Sequence, residues 1–270
     1  LSTLPEETPP PPGTVERWAW EYVKTTDLSS KLTPAPPPSV WEAAPPSRRI
    51  DRPGRPPALD VIARAEKHRG VASPKNRARI FATFHHHELQ AAELMLWALL
   101  RFSDAPAELR AGLLKIALDE IRHMELYRRH IDALGHSVLE FPVRDWFWQR
   151  VPSCQRVAEF LAVMGLGFES ANLDHSLLWA ERFRAVGDEA GALVQERVGA
   201  EEIAHARFSA HWLPLVDGPL TFDRWNELLP RPLSPMLMRG ANLARDARAR
   251  AGQPEAFLAA LTAWNPEPSR

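Results

Sequence analysis

Two copies of one short signature carry the chemistry of this 270-residue chain: Asp119-Glu120-Ile121-Arg122-His123 and Glu201-Glu202-Ile203-Ala204-His205. In each, a Glu-x-x-His pair sets a carboxylate and an imidazole one turn apart on the same face of a helix. A lone glutamate precedes each copy at nearly the same distance, Glu88 by 32 residues (88 to 120) and Glu169 by 33 (169 to 202). Four carboxylates and two histidines in that arrangement are the ligand set of a dinuclear iron or manganese site inside a four-helix bundle. A single Glu-x-x-His is commonplace on helix surfaces; two copies with matched lone glutamates are not.

Positioning six such residues needs long, paired helices. Ser73 followed by Pro74 is helix-start chemistry, a capping hydroxyl before a proline at the first helical position. The break Ser103-Asp104-Ala105-Pro106 ends that helix and opens a second, from about Pro106 to Leu134, stopped by Gly135. A third is expected from near Ser153 to Gly187, and Asp188 caps a fourth running to about Trp212, closed by Pro214. Tight turns join the first to the second and the third to the fourth, so each pair is an antiparallel hairpin. The segment from Gly135 to Pro152 is long enough to reach about 60 Å at about 3.3 Å per residue, which favours one long crossover. Equidistance from a hairpin turn puts residues at one height. The midpoint of Glu88 and Glu120 is Asp104, and that of Glu169 and Glu202 falls between Ala185 and Val186, so each lone glutamate faces its own Glu-x-x-His pair. The expected fold is all-α, a ferritin-like four-helix bundle over residues 58–212. A Pro-rich N-terminal arm (residues 1–57) and a C-terminal helical extension (residues 213–270) flank it.

The site residues sit among apolar neighbours: Phe84, Ala91, Ala92 and Met95 around Glu88, Ile116, Ala117 and Tyr127 around Glu120, Val198 and Phe208 around Glu202. Carboxylates in such surroundings are costly unless paired or metal-bound. Glu93 competes with Glu88 as the first-helix ligand, but its midpoint with Glu120 falls inside the second helix. His85 shares nearly the face of Glu88 and, with His86 and His87, reads first as an ordinary buried or rim histidine. Tyr127, one turn beyond His123, is a core tyrosine or a hydrogen-bond donor near the metals. Gly165 and Gly167 cost about 1 kcal/mol each inside a helix; a π-bulge beside Glu169 or close helix packing would account for them.

The pattern resembles the ferritin-like di-iron carboxylate superfamily, which includes rubrerythrins, ribonucleotide reductase small subunits, bacterial multicomponent monooxygenases and the tRNA-modifying hydroxylase. Asp119-Glu120-Ile121-Arg122-His123 matches the form seen in oxygen-activating members. The stretch His86-His87-Glu88-Leu89-Gln90-Ala91-Ala92-Glu93-Leu94 resembles an uncharacterised bacterial ferritin-like family, a domain of unknown function. The resemblance implies Glu120 and Glu202 as bridging ligands, Glu88, His123, Glu169 and His205 as terminal ligands, and Asp119 and Glu201 as acceptors for the opposite histidines' ring N–H groups. Ala204 stands where the first motif has Arg122, so any role of that arginine is one-sided.

Composition narrows the rest. Charge is nearly balanced, −1 from 33 basic and 34 acidic residues, which gives no chain-wide footprint for nucleic acid. The single cysteine, Cys154, excludes an intrachain disulfide, a thiolate zinc site and an iron–sulfur module. No apolar run approaches the length of a membrane span. Leu1 to Pro5 show no secretion signal, and the default location is cytoplasmic. Of 26 prolines, 14 fall in residues 1–57. Trp18, Trp20 and Tyr22, on a short amphipathic helix expected at Val15 to Val23, make that segment a docked arm rather than a linker. Asp145-Trp146-Phe147-Trp148 is expected to cover one bundle face. Helical stretches are expected at Ser234 to Ala251 and Pro254 to Trp264, as packing and interface material compatible with a homodimer. Arg239, Arg245, Arg248 and Arg250 are expected on a solvated face.

The function that fits is a non-haem di-iron oxidoreductase (with iron–manganese or dimanganese as alternatives) that activates dioxygen to oxidise a small organic substrate with electrons from an external donor. Iron storage or peroxide detoxification is the rival, and a metal that only staples the bundle is the third reading.

Overall fold

The computed structural model describes residues 8–64 and 70–266. Leu1 to Pro5, read above for a leader, lie outside the described residues. The fold is all-α. The chain divides into two compact units, Leu1–Pro152 and Ser153–Arg270.

The first unit is built on a hairpin of α3 (Pro74–Arg101) and α4 (Ala107–Ala133), 28 and 27 residues long. Ser73 caps α3 as expected, its hydroxyl accepting from the backbone N–H of Asn76 at 3.2 Å. Gly135 ends α4 with φ +81°, a conformation only glycine adopts without strain. The arm is docked. Its helix α1 (Val15–Lys24), capped by Thr14, buries Val15, Ala19, Trp20, Tyr22 and Val23. A second short helix, α2 (Leu28–Leu32), follows it, which the sequence reading did not anticipate. Arm and hairpin are bolted together by polar contacts. Arg110 Nη2 donates to Glu16 Oε1 at 2.6 Å, the Arg110 guanidinium lies over the Trp41 ring, and Arg48 N donates to Leu100 O. The end of the arm pairs with the crossover, Ile62 N to Val143 O and Val143 N to Asp60 O.

The second unit repeats the hairpin with an irregularity. The expected third helix starts at Val157, after a 3₁₀ turn at Val151–Ser153. It is three pieces in series: α5 (Val157–Val163), a π-helix (Met164–Glu169) and α6 (Ser170–Arg184). Gly187, φ +79°, makes the turn, and Asp188 caps α7 (Glu189–Val216) by accepting from Gly191 N. Pro214 does not close α7; it sits inside the last turn. A proline there removes one hydrogen bond near the frayed end, and Asp217 N still reaches Leu213 O.

Beyond α7 come α8 (Phe222–Glu227), a 3₁₀ turn (Pro235–Met238), α9 (Arg245–Arg250) and α10 (Glu255–Ala263). The helix expected over Ser234 to Ala251 is therefore broken between Met238 and Arg245. The break has a cause: Asp174 of α6 captures the backbone N–H groups of Gly240 and Ala244, both at 2.8 Å, and pulls the chain out of helical register. The arginines are not a uniform solvated face either. Arg248 is fully buried, its Nε and Nη2 bonded to the two oxygens of Asp174 at 2.9 and 2.8 Å. Arg239 donates to the carbonyls of Leu261, Thr262 and Trp264 at the C-terminal end of α10, where a cation suits the helix dipole.

Candidate metal centre

Each unit carries one buried cluster of two carboxylates and an imidazole. In the first, Glu88 of α3 and Glu120 and His123 of α4 are all buried, and one ligand atom from each lies within 4.8 Å of the others. His123 Nδ1 stands 3.2 Å from Glu120 Oε2 and 3.9 Å from Glu88 Oε2. In the second, Glu169, at the last position of the π-helix, and Glu202 and His205 of α7 are buried and meet the same 4.8 Å limit. His205 Nδ1 is 2.9 Å from Glu202 Oε2. The hairpin register produces both triads, since each lone glutamate stands at the height of its Glu-x-x-His partner across a glycine or proline turn.

The donor chemistry fits a hard or borderline divalent cation. Two carboxylates buried beside an imidazole carry a desolvation cost, and a repulsion cost when both are ionised, that a cation removes. Carboxylate oxygen and imidazole nitrogen suit iron, manganese or zinc, and no soft ligand is at hand. Cys154 is no candidate, because burial pushes its thiol up to about 12. In both triads Nδ1 is the ring nitrogen turned toward the carboxylates, which leaves Nε2–H as the group a neighbouring acceptor would hold.

The remaining expected residues fall as follows. Asp119 accepts from Arg122 Nη2 at 2.7 Å, and Glu201 from Arg197 Nε at 3.3 Å. Tyr127 is buried against Phe81 and Phe84, ring centroids 5.8 Å away in each case. His85 is held neutral, burial pushing its pKa down to about 3. His86 bonds to Asp145 Oδ1 through Nε2 at 2.9 Å, and His87 stacks on Phe147.

Glu93 belongs to neither triad. It is the hub of a buried ion network: Lys31 Nζ reaches Oε1 at 2.7 Å, Arg55 grips both oxygens, and Trp148 Nε1 donates to Oε2 at 2.7 Å. Burial raises the Glu93 pKa, but Arg55 and Lys31 more than offset it and hold the carboxyl below its ordinary range. Asp145, also bonded to Arg55, is likewise held down to about 2 despite the opposing effect of burial. Gln90, which no local signal singled out, fixes the crossover: its Oε1 accepts from Phe147 N and its Nε2 donates to Arg144 O. The aromatic crossover therefore lies on α3, bonded there by Gln90, Glu93 and His86.

Both glycines of the π-helix sit in close contacts. A Cβ on Gly165 would fall 1.8 Å from Ser209 Oγ, and one on Gly167 would fall 2.6 Å from Met238 Sδ. Ser170 donates to Gly165 O from its hydroxyl at 2.8 Å, and its backbone N–H reaches the same carbonyl, the i to i−5 bond of a π-turn. Asn172 was also missed. It is half-buried one turn past Glu169, and its Nδ2 donates to Glu202 Oε1 at 3.3 Å. The available signal was a polar amide on the site face of a long helix, in register with Glu169.

A family model described as "Protein of unknown function (DUF455)" matches residues 14–259. The chain belongs to this family. The DUF455 match spans the docked arm, both hairpins and most of the C-terminal extension. A protein of Haemophilus influenzae (strain ATCC 51907 / DSM 11121 / KW20 / Rd), described as "Uncharacterized protein", is 26% identical over 152 residues, which is 53% of this chain and 53% of that protein. The chain thus spans about half the length of the curated relative it matches. No solved structure matches. Among the described residues, no helix is long and apolar enough to cross a membrane.

Proposed function

We propose that this DUF455 protein is a dinuclear non-haem iron (or iron–manganese) oxidoreductase that uses dioxygen to oxidise a small organic substrate. The observation that carries the reading is the repetition: two buried Glu, Glu, His triads, each on its own antiparallel hairpin, with the same helical spacing. In the proposal the two triads together serve one metal pair, as the resemblance to ferritin-like di-iron proteins implies. Glu88, Glu120, His123, Glu169, Glu202 and His205 would hold the metal pair, two carboxylates and one imidazole from each hairpin. Bound iron would supply the electrons and the open coordination position that dioxygen chemistry requires. The protein supplies the rest. Buried carboxylates provide four negative charges to offset the charge of the metal pair, Nδ1 of each histidine is already turned inward, and the apolar walls around Glu88 and Glu120 exclude water. With one cysteine in the chain, reducing equivalents come from outside.

The docked arm, with α1 against the first hairpin, and the C-terminal extension occupy surface that a storage cage would need for assembly, which favours an oxidase over iron storage. Anaerobic loading with Fe(II) followed by oxygen tests the reading. The expected result is two irons per chain and a transient visible absorption that decays as oxygen is consumed. Continued uptake of many irons would support storage, and bound metal inert to oxygen would support a structural staple.

A further inference from the structure

We infer that Asn172 is a positioning residue for Glu202; the inference rests on the dinuclear reading above. Both oxygens of Glu202 are engaged from separate directions, Oε1 by Asn172 Nδ2 at 3.3 Å and Oε2 by His205 Nδ1 at 2.9 Å. A carboxylate facing an amide takes the amide's N–H and not its oxygen, so the orientation of Asn172 is fixed by its partner. Asparagine is a poor interior helix residue, because its side chain competes for the backbone. Its place inside the long run of α5, the π-helix and α6, one turn beyond Glu169, is explained by the contact it makes.

The first hairpin carries no amide at the matching position of α3. The residue in the same register on α3, one turn beyond Glu88, is Ala91, whose methyl group can donate nothing. Asn172 also inherits its direction from the π-helix, since Glu169 ends that segment and Ser170 resumes the α-helical register. The amide cannot titrate, so the restraint on Oε1 holds at every working pH. It limits how freely Glu202 can reorient around a bound cation.

The test is titration of the full-length metal-free chain with Co(II), followed by calorimetry and by visible absorption, for wild type, Asn172→Leu and Asn172→Ala. Leucine keeps the volume and removes the donor; alanine serves if leucine disturbs folding, which circular dichroism checks. Wild type is expected to bind two Co(II) ions in two resolved steps. Each variant should retain both ions, with one of the two steps weakened about tenfold, the scale of one hydrogen bond to a charged group, and its cobalt absorption band shifted. Titrations and spectra superimposable on wild type would overturn the role of Asn172. Failure of wild type to bind a second Co(II), or retention of both by Glu202→Ala, would instead remove the dinuclear reading itself.

Discussion

The guanidinium of Arg55 holds both carboxylate oxygens of Glu93, Nη1 to Oε1 at 2.6 Å and Nη2 to Oε2 at 2.8 Å. Two residues 38 positions apart thereby tie the end of the arm to the middle of α3. Lys31 adds a second cation to the same carboxylate and spends its other N–H bonds on the carbonyls of Tyr22 and Val23.

Removing the charge of Glu93 leaves two buried cations facing a neutral group. Glu93→Gln is expected to cost about 3–5 kcal/mol, the scale for breaking one side of a buried ion pair. It should also expose the arm to protease, yet leave metal binding intact. Glu88→Ala should do the reverse, losing metal with the arm still protected. Limited proteolysis and metal analysis on the two variants check both halves. Equal metal loss in both would return Glu93 to the ligand set.

Acid should loosen the arm in a defined window. Asp145 has a folded pKa of about 2 and Glu93 a lowered one, against about 3.9 and 4.3 for unfolded Asp and Glu. Depressed carboxyl pKa values contribute stability that is present above the unfolded values and is lost as pH falls through the folded ones. Urea midpoints measured from pH 5 downward should therefore drop from about pH 4 toward pH 2. Asp145→Asn, less stable at the outset, should show a visibly shallower drop.

Arg248 and Asp174 form the corresponding anchor in the second unit, and Arg248 passes its hold onward. Its Nη1 meets Gln253 Oε1, and Gln253 Nε2 donates to Ser170 Oγ at 2.6 Å, beside the π-helix. Arg248→Met should destabilise by about 3–5 kcal/mol in chemical denaturation. Arg248→Lys should recover little of it, because an ammonium cannot reproduce the paired N–H bonds to the carboxylate. Asp174→Leu combined with Arg248→Met should be more stable than Arg248→Met alone, since no buried charge is left unmatched.

The two glycines of the π-helix should differ in tolerance. Gly165→Ala puts its new methyl against Ser209 Oγ at 1.8 Å and Ser209 Cβ at 2.3 Å, atoms held close to the α7 backbone. Gly167→Ala meets the end of the flexible Met238 side chain at 2.6 Å. Melting temperatures should rank Gly165→Ala well below Gly167→Ala, overpacking being worth about 1–3 kcal/mol. Ser209→Gly in the Gly165→Ala background should restore part of the loss. A failure of that rescue would mean that the backbone, and not the serine, is what rejects the methyl.

The residues that were legible in the sequence share a property: their signals are local. Ser73, Gly135, Gly187 and Asp188 declare helix ends through their own backbone and capping chemistry, and the Glu-x-x-His spacing declares a helix face. Gly165 and Gly167, costly inside a helix, pointed to a π-bulge or to close packing, and the structure has both. What escaped depends on distant partners. Arg248 looked like a surface arginine because its carboxylate stands 74 residues away, and Glu93 looked like a rival ligand because its cations come from the arm. Pro214 looked like a stop signal because nothing local shows that a helix will tolerate it in its last turn.

The π-helix at Met164–Glu169 also sets a rule for how chain length can vary here. A π-turn holds one residue more than the α-helical turn it replaces. Deleting one of residues 164–168 would turn the π-turn into an α-helical turn and let α5 run straight into α6 with the flanking side chains still on their present faces. Phe160 and Leu161, now buried, would stay on their packing face, and Asn172 and Asp174 on theirs. A single lost residue is thus absorbed where it falls, as the loss of the wide turn and not as a rotation of the whole preceding helix. Chain length across residues 164–169 is a marker for sorting DUF455 sequences into those that share this geometry and those that do not.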